Sequence, residues 1–519
     1  MPLFLAPLSA PVLLLLAGAI GFLDHGQRPK LAPVLAEVAA LLALLVAILS
    51  AGDAIFLGAG DSPVVGFHGV GLAVRLDAVS ATMLLLVTFV GWIVVRYART
   101  YLDGEARQGA FTGWLCLTLA SVLLLVTAGT LFQLVVAWIA TSLFLQRLLL
   151  FYPQRIAAQR AARKKFITAR LGDVALLAGA AFLIAAYGTS EIGTILAAAR
   201  SGSSGGLAIG AAGLLAIAAV LKSAQFPVHG WLTEVMETPT PVSALLHAGV
   251  INAGGFLLIR FADVMLPAPG VLAALVMIGG FTALFASLVM LTQPAVKTSL
   301  AWSTVAQMGF MIFECGLALF PLALLHIVAH SLYKAHSFLA SGGAVERVAA
   351  IRRPGPVAVP KAGAVARAFL SALGIYGLVG ACFGFEHKSP QATALGAILI
   401  FGVAYMLAQG FADAAPRALT RRTTVYAVAT SVSHFALQLA ATWITANVLP
   451  APPPPGPLEW ALIALAVVSF GLVAVVQAMF PLWASHPAAA GLRVHLSNGF
   501  YANAVFDRLI GAWSIRSPS

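Results

Sequence analysis

Residues 221–247 read LKSAQFPVHGWLTEVMETPTPVSALLH. The flanking runs, GLAIGAAGLLAIAAV (206–220) and AGVINAGGFLLI (248–259), are almost wholly apolar, so a lysine, two histidines and three prolines stand where polar groups are costly. A lysine at the centre of a bilayer costs about 2.5–3.5 kcal/mol on insertion scales, and such residues face a bundle interior or water. Pro227 removes a backbone donor, and Pro239 and Pro241 start a new helix, so the carbonyls freed here must be satisfied by neighbours or by water. The stretch predicts two membrane helices meeting at a wet, irregular break that holds Lys222.

The rest of the chain has the same character. Of 519 residues, 61% are hydrophobic and 9% charged, and the mean hydropathy is +0.96, beyond what a soluble domain hides in a core. Apolar runs recur at 4–23, 32–50, 76–95, 111–127, 130–151, 168–187, 207–225, 241–261, 271–291, 300–317, 321–342, 366–385, 391–411, 424–446 and 458–480. They are long and lack strand alternation, so the expected fold is an all-α polytopic membrane protein of about fifteen transmembrane helices. The first run lacks a basic start and a small-residue cleavage site, and reads as a retained helix.

The net charge of +12 is not one patch. Sorted by alternate loops, twenty-one lysines and arginines fall on one side, Lys164 and Lys165 among them, and only Arg75, Arg200 and Lys388 on the other. By the positive-inside rule the N-terminus is outside and the C-terminus cytoplasmic. Cys116, Cys315 and Cys382 stand singly in apolar runs and read as small buried residues, with neither disulfide nor metal spacing. PAPPPPGP (450–457) is a stiff connector. In the tail, residues 492–513, Leu496, Phe500, Val505, Leu509 and Trp513 recur near helical spacing, predicting one amphipathic helix that lies on the membrane or docks a partner.

A second polar concentration lies in LHIVAHSLYKAHSF (325–338), where His326, His330 and Lys334 stack at i, i+4 and i+8 on one helical face. Histidine exchanges protons near neutrality even when unperturbed. His247, about two turns into its helix, is expected to approach Lys222 across the break. Together Lys222, His247, His326, His330 and Lys334 read as a proton relay, with Asp173 as the carboxylate placed to influence it. The alternatives are a local ion pair of Asp173 with Arg170 and plain interhelical hydrogen bonds. Glu234 and Glu237 beside the break are candidate inlets, and Glu314 a candidate outlet.

These motifs resemble the signature of the antiporter-like, proton-conducting membrane subunits of respiratory complex I and multisubunit cation/proton antiporters. LKSAQFPVHGWLTEVMETPTPVSALLHAG carries the first half of the likeness; LAWSTVAQMGFM (300–311) and HIVAHSLYKAHSFLASG (326–342) carry the second. The resemblance implies two inverted five-helix repeats with broken helices, the seventh span being one discontinuous helix, and a hydrated central path through Lys222, His247, His330 and Lys334. It divides the chain into N-terminal helices (1–110), a first repeat (111–261), a second repeat (271–411), C-terminal helices (424–480) and a cytoplasmic tail (481–519). Two departures stand out: Ile139, after Trp138, occupies the position of the family's glutamate, and Ala295 that of an aspartate.

METPTPVSALLHAGVINAGGFLLIR and HSLYKAHSFLASGGAVERV are most similar to the membrane subunit of DAB-type inorganic-carbon accumulation complexes. That resemblance implies a subunit of the bacterial inner membrane with no cofactor and no catalysis of its own. Its partner would be a large zinc-dependent, carbonic-anhydrase-like subunit, in which proton or sodium motive force drives hydration of CO2 to bicarbonate. The alternatives are a subunit of a sodium/proton antiporter or complex I-like pump, and an inert anchor for a partner.

Overall fold

The computed structural model describes residues 2–24, 26, 28–67, 70–202, 205–341, 360–384, 388–412, 415–484 and 486–511. The basic residues Arg347, Arg352, Arg353 and Arg516, and Trp513 of the tail stripe, lie outside the described residues. Helical structure stands at each of the fifteen expected positions. Twelve of these helices are long and apolar enough to cross a membrane. The other three fall short for physical reasons. Gly206–Lys222 has only 17 residues, Val296–Gly316 carries Lys297, Gln307 and Glu314, and Phe320–Ser341 carries the lysine and histidines of the second polar concentration. This is a multi-pass, all-α integral membrane protein.

The helices that frame the polar interior are α1 (Ala78–Tyr101), α2 (Leu131–Leu149), α3 (Ile156–Tyr187), α4 (Gly206–Lys222), α5 (Thr240–Ala248), α6 (Ala253–Arg260), α7 (Pro269–Met290), α8 (Val296–Gly316) and α9 (Phe320–Ser341). Small residues bring some of them unusually close. A Cβ added at Gly279 of α7 would lie 2.6 Å from the Gly309 carbonyl of α8, so the two backbones touch there, as small-residue membrane interfaces allow.

The break falls where the prolines predict it. Helix α4 ends at Lys222; Ala224 takes a left-handed φ of 49°, which is rare for a residue with a Cβ and marks a constrained site. A single turn, Gly230–Thr233, follows before Pro239 and Pro241 open α5. The eighth span is itself interrupted: α5 stops at Ala248, residues 250–252 form a 3-10 turn, and α6 resumes at Ala253. In the second half, Ala362–Cys382 and Pro390–Gly410 are each continuous and flank Lys388.

Helix α3 departs from expectation. It starts at Ile156 rather than near residue 168 and has 32 residues, about 48 Å against a hydrocarbon core of about 30 Å. Lys164 and Lys165, counted above as loop residues, are therefore helical and buried. Cys382 also differs: it ends its helix exposed, whereas Cys116 and Cys315 are buried.

The tail is not one helix. Ala490–Ser497 and Ala502–Leu509 are separated by a kink at Gly499, Phe500 and Tyr501, all with positive φ. The expected stripe is split: Leu496 is buried, Phe500, Val505 and Leu509 are exposed, and Asp507 of the second tail helix is buried. The polar face docks because a buried lysine of α3 requires counter-charge.

Candidate functional site

Among the described residues, three polar clusters take up most of the predicted site residues. In the first, the Lys222 ammonium sits 4.3 Å from the centre of the Trp138 ring of α2, a cation–π contact. Asp173, from α3, is ion-paired with Arg170 at 2.6 Å and lies within electrostatic reach of Lys222. The local pair and the approach to the lysine coexist. Lys165 reaches the same place, donating to the Ser142 carbonyl and to its Oγ. A cavity of about 20 Å³ lies among Ser142, Lys165, Thr168, Lys222 and Trp231, enough for one water molecule. Thr168 Oγ1 and Trp231 Nε1 have no protein partner there, so the site is polar as well as roomy.

The second cluster takes His247. It does not join Lys222 as expected: its Nδ1 lies 3.0 Å from Thr304 Oγ1 of α8, and its ring stacks on Phe338 of α9 at 4.3 Å. Thr304 Oγ1 in turn donates to the Leu300 carbonyl, which also receives the Lys334 ammonium, each at 3.0 Å. A hydroxyl has one proton, so His247 donates from Nδ1 to Thr304 and turns a bare Nε2 to the interior. His330 is buried, within electrostatic reach of Lys334, His247 and His326, and neither of its ring nitrogens has a protein partner. His326 bonds through Nδ1 to Glu314 at 2.8 Å. A cavity of about 370 Å³ opens beside them, lined by Glu314, His326, His330, Gln307 and His434. His434 comes from the helix Arg417–Thr445 and lies within electrostatic reach of Lys388. Lys388 donates to Gln438 Oε1 at 2.8 Å and sits over the Phe435 ring at 3.8 Å. Burial lowers its ammonium to about 8.

The third cluster lies at the break. Lys164, fully buried, meets Glu234 Oε2 at 2.5 Å, Asp507 Oδ1 at 2.6 Å and Asn503 Oδ1 at 2.9 Å. Glu237 is separate, in an exposed pair with Arg155 at 2.8 Å. Pro227 is exposed in the break, and Pro239 and Pro241 are buried at the start of α5.

Residues 128–353 match the family described as NADH:quinone oxidoreductase/Mrp antiporter, TM, and residues 64–112 match the complex I chain 5 N-terminus. The probable inorganic carbon transporter subunit DabB2 of Halothiobacillus neapolitanus is 36% identical over 513 residues, covering 97% of this chain and 92% of that protein. This chain belongs to the DabB family. The probable subunit DabB of Hydrogenovibrio crunogenus is 45% identical over 312 residues, 59% of this chain and 60% of the relative. The Mrp complex from Dietzia sp. contains a chain of the same fold, with a TM-score of 0.65 at 23% identity, covering 99% of this chain and 60% of that one. Respiratory complex I from Thermus thermophilus also contains one, at a TM-score of 0.56 and 18% identity, covering 96% and 99%.

In this DabB-type chain several polar residues that the sequence alone does not single out join the clusters, Asn503 and Asp507 of the tail among them. Lys164 and Lys165 lie in RIAAQRAARKKF (155–166), whose basic density reads as a loop. Only their alternation with alanines at helical spacing hinted at a continuous helix. His434 is a lone histidine in an otherwise bland span, and Lys388 sat among the few charges assigned to the poor side. The family's fifth-span glutamate is absent, but Asp173 brings a carboxylate within reach of Lys222 from the neighbouring helix α3.

Proposed function

We propose that this DabB-family subunit conducts protons across the bacterial inner membrane and so drives inorganic-carbon accumulation by a partner subunit. One observation carries the reading: buried bases along the path retain unpartnered nitrogens, at His247 Nε2, both nitrogens of His330 and Nε2 of His326, and the last two residues line a cavity of about 370 Å³. Buried polar groups without protein partners call for water, and water between titratable groups is what proton hopping needs. Asp173, Lys222 and Lys165 form the first half of the relay, with Asp173 taking the place of the fifth-span glutamate. His247, Lys334, His330, His326 and Glu314 form the second half, which continues through His434 toward Lys388. The N-terminus lies outside and the tail in the cytoplasm.

The names of its relatives support a role in inorganic-carbon transport, and the resemblance to DAB-type complexes implies a partner that is a large zinc-dependent, carbonic-anhydrase-like protein hydrating CO2 to bicarbonate, with the ion gradient making the hydration one-way. The test is Lys222→Ala in cells that depend on the complex: bicarbonate accumulation is lost while assembly persists. Unchanged accumulation with normal assembly refutes a proton role for Lys222. A second reading is favoured by the fold shared with the Mrp complex: a subunit of a cation/proton antiporter, working with sodium as well as protons. Co-purification separates them, one large zinc protein supporting the first and several small membrane subunits the second.

A further inference from the structure

The third cluster contains a lysine that the relay above does not use. Lys164 has no exposed side-chain surface, and an ammonium has three protons. Three acceptors meet it: Glu234, Asp507 and Asn503, at 2.5, 2.6 and 2.9 Å. Asn503 also donates to Glu234, closing a ring between the break and the tail. Two of these acceptors lie more than three hundred positions along the chain from Lys164, in the tail helix Ala502–Leu509, where they stand at i and i+4 on one face. The kink at Gly499–Tyr501, left-handed at all three residues, turns that face inward. A Cβ added at Gly230 would fall 1.8 Å from Asn503 Oδ1, so the tail asparagine fills the space that a side chain on the break would take.

The arrangement sets one cation between two carboxylates, of which Glu234, 29% exposed, remains in contact with water, while Asp507, at 12%, is largely covered. Inward of them, Lys164 is within electrostatic reach of His229, buried in the break with both ring nitrogens unpartnered among Phe226, Phe285 and Trp302. Two residues beyond His229, Trp231 lines the small cavity of Lys165 and Lys222. Polar groups thus run from the water-facing Glu234 to the first cluster. While the tail is docked, Lys164 donates to Glu234 and Asn503 and is ion-paired with Asp507.

We propose that Lys164 and Glu234, together with Asp507 and Asn503 of the tail, form the proton-exchange site at the cytoplasmic mouth of the relay, and that the tail must lift from Lys164 for protons to pass. Lys164 is the relay residue; Asp507 and Asn503 are positioning residues that withhold it. This rests on the proton-conducting reading, and the test distinguishes its failure from the failure of that reading.

The experiment joins Gly230→Cys and Asn503→Cys in a Cys382→Ser background, in the intact complex reconstituted in vesicles enclosing a pH-sensitive dye. The Cβ separation of 3.3 Å lies close to the disulfide range of about 3.5–4.5 Å. Oxidation is expected to form the bond and lower proton flux by about tenfold, the change that ~1.4 kcal/mol produces, and reductant is expected to restore it. Both states lack the asparagine, so the comparison isolates the lock. A bond that forms without changing flux overturns the gating, and failure of the bond to form overturns the placement of the tail. Asp507→Asn, which loosens one of the three contacts, is expected to raise flux severalfold, and Asp507→Glu to return it toward wild type; a merely structural anchor gives a fall or no change in the first variant. Wild-type vesicles without flux count against the conducting reading itself, while crosslinking yield still reports where the tail sits.

Discussion

Asp77 offers the most direct measure of what holds the frame of the relay. It caps α1, its Oδ1 accepting from Ser80 N at 2.9 Å, and its carboxylate meets Arg260 at the end of α6, Oδ2 to Nη1 at 2.5 Å and Oδ1 to Nη2 at 3.2 Å. Both side chains are almost wholly buried, at 0% and 2% exposure. Two unit charges about 3 Å apart at an effective dielectric of about 20 attract by about 5–6 kcal/mol, most of which offsets their loss of water. Replacing Asp77 by asparagine keeps the shape and a capping oxygen but removes the charge, leaving Arg260 buried and uncompensated. Arg75, 3.0 Å away, keeps Asp61 as a second partner and is less affected. The expected loss is ~3–5 kcal/mol, far above the ~1 kcal/mol of a cap alone. Adding Arg260→Met is expected to recover much of it, giving a coupling energy of at least ~2 kcal/mol. Unfolding in detergent micelles, followed by tryptophan fluorescence for both single variants and the double, reads these values. A single-variant loss below ~1 kcal/mol, or a double equal to the sum of the singles, refutes the claim that this pair ties α1 to the broken eighth span.

Two further outcomes follow from the clusters. Asp173→Asn is expected to lower proton flux by about a hundredfold, within the range for loss of a positioned proton-transfer group. Stability should change little, because its partner Arg170 remains partly exposed. Adding Ile139→Glu, beside the Trp138 ring that supports Lys222, is expected to restore much of the flux; no recovery would mean that Asp173 does not stand in for the fifth-span carboxylate. Lys388, which burial lowers to about 8 from the usual 10.5, is expected to react with amine-labelling reagents half-maximally near pH 8. Between those two values the unfolded chain binds the extra proton and the folded chain does not, so stability contributed at this site rises with pH across that window and is unaffected by pH well below it. Lys388→Met is expected to flatten that rise in thermal unfolding scans.

The spans were legible because an apolar run of about twenty residues has few other solutions, and the break because Pro227, Pro239 and Pro241 remove donors that a continuous helix needs. The ladder of His326, His330 and Lys334 followed from helical spacing alone, which holds within any one helix. What spacing cannot supply is the identity of the facing helix. His247 was assigned to Lys222 because the two are neighbours along the chain, yet its bonds go to Thr304 and Phe338, on α8 and α9. The tail shows the same boundary more sharply. Its periodicity separates a polar from an apolar face, but amphipathicity is indifferent to which face docks. That choice was made by Lys164: an ammonium removed from water is costly unless counter-charge reaches it, and the carboxylates that reach it come from 70 positions away, at Glu234, and from the tail, at Asp507. Lys164 was itself hidden, because in a basic stretch a charge turned inward looks like its solvated neighbours. Burial of one cation therefore fixes three elements together, the first turns of α3, the break and the tail. A substitution that removes only that charge, Lys164→Met, should free the tail while leaving the membrane helices in place.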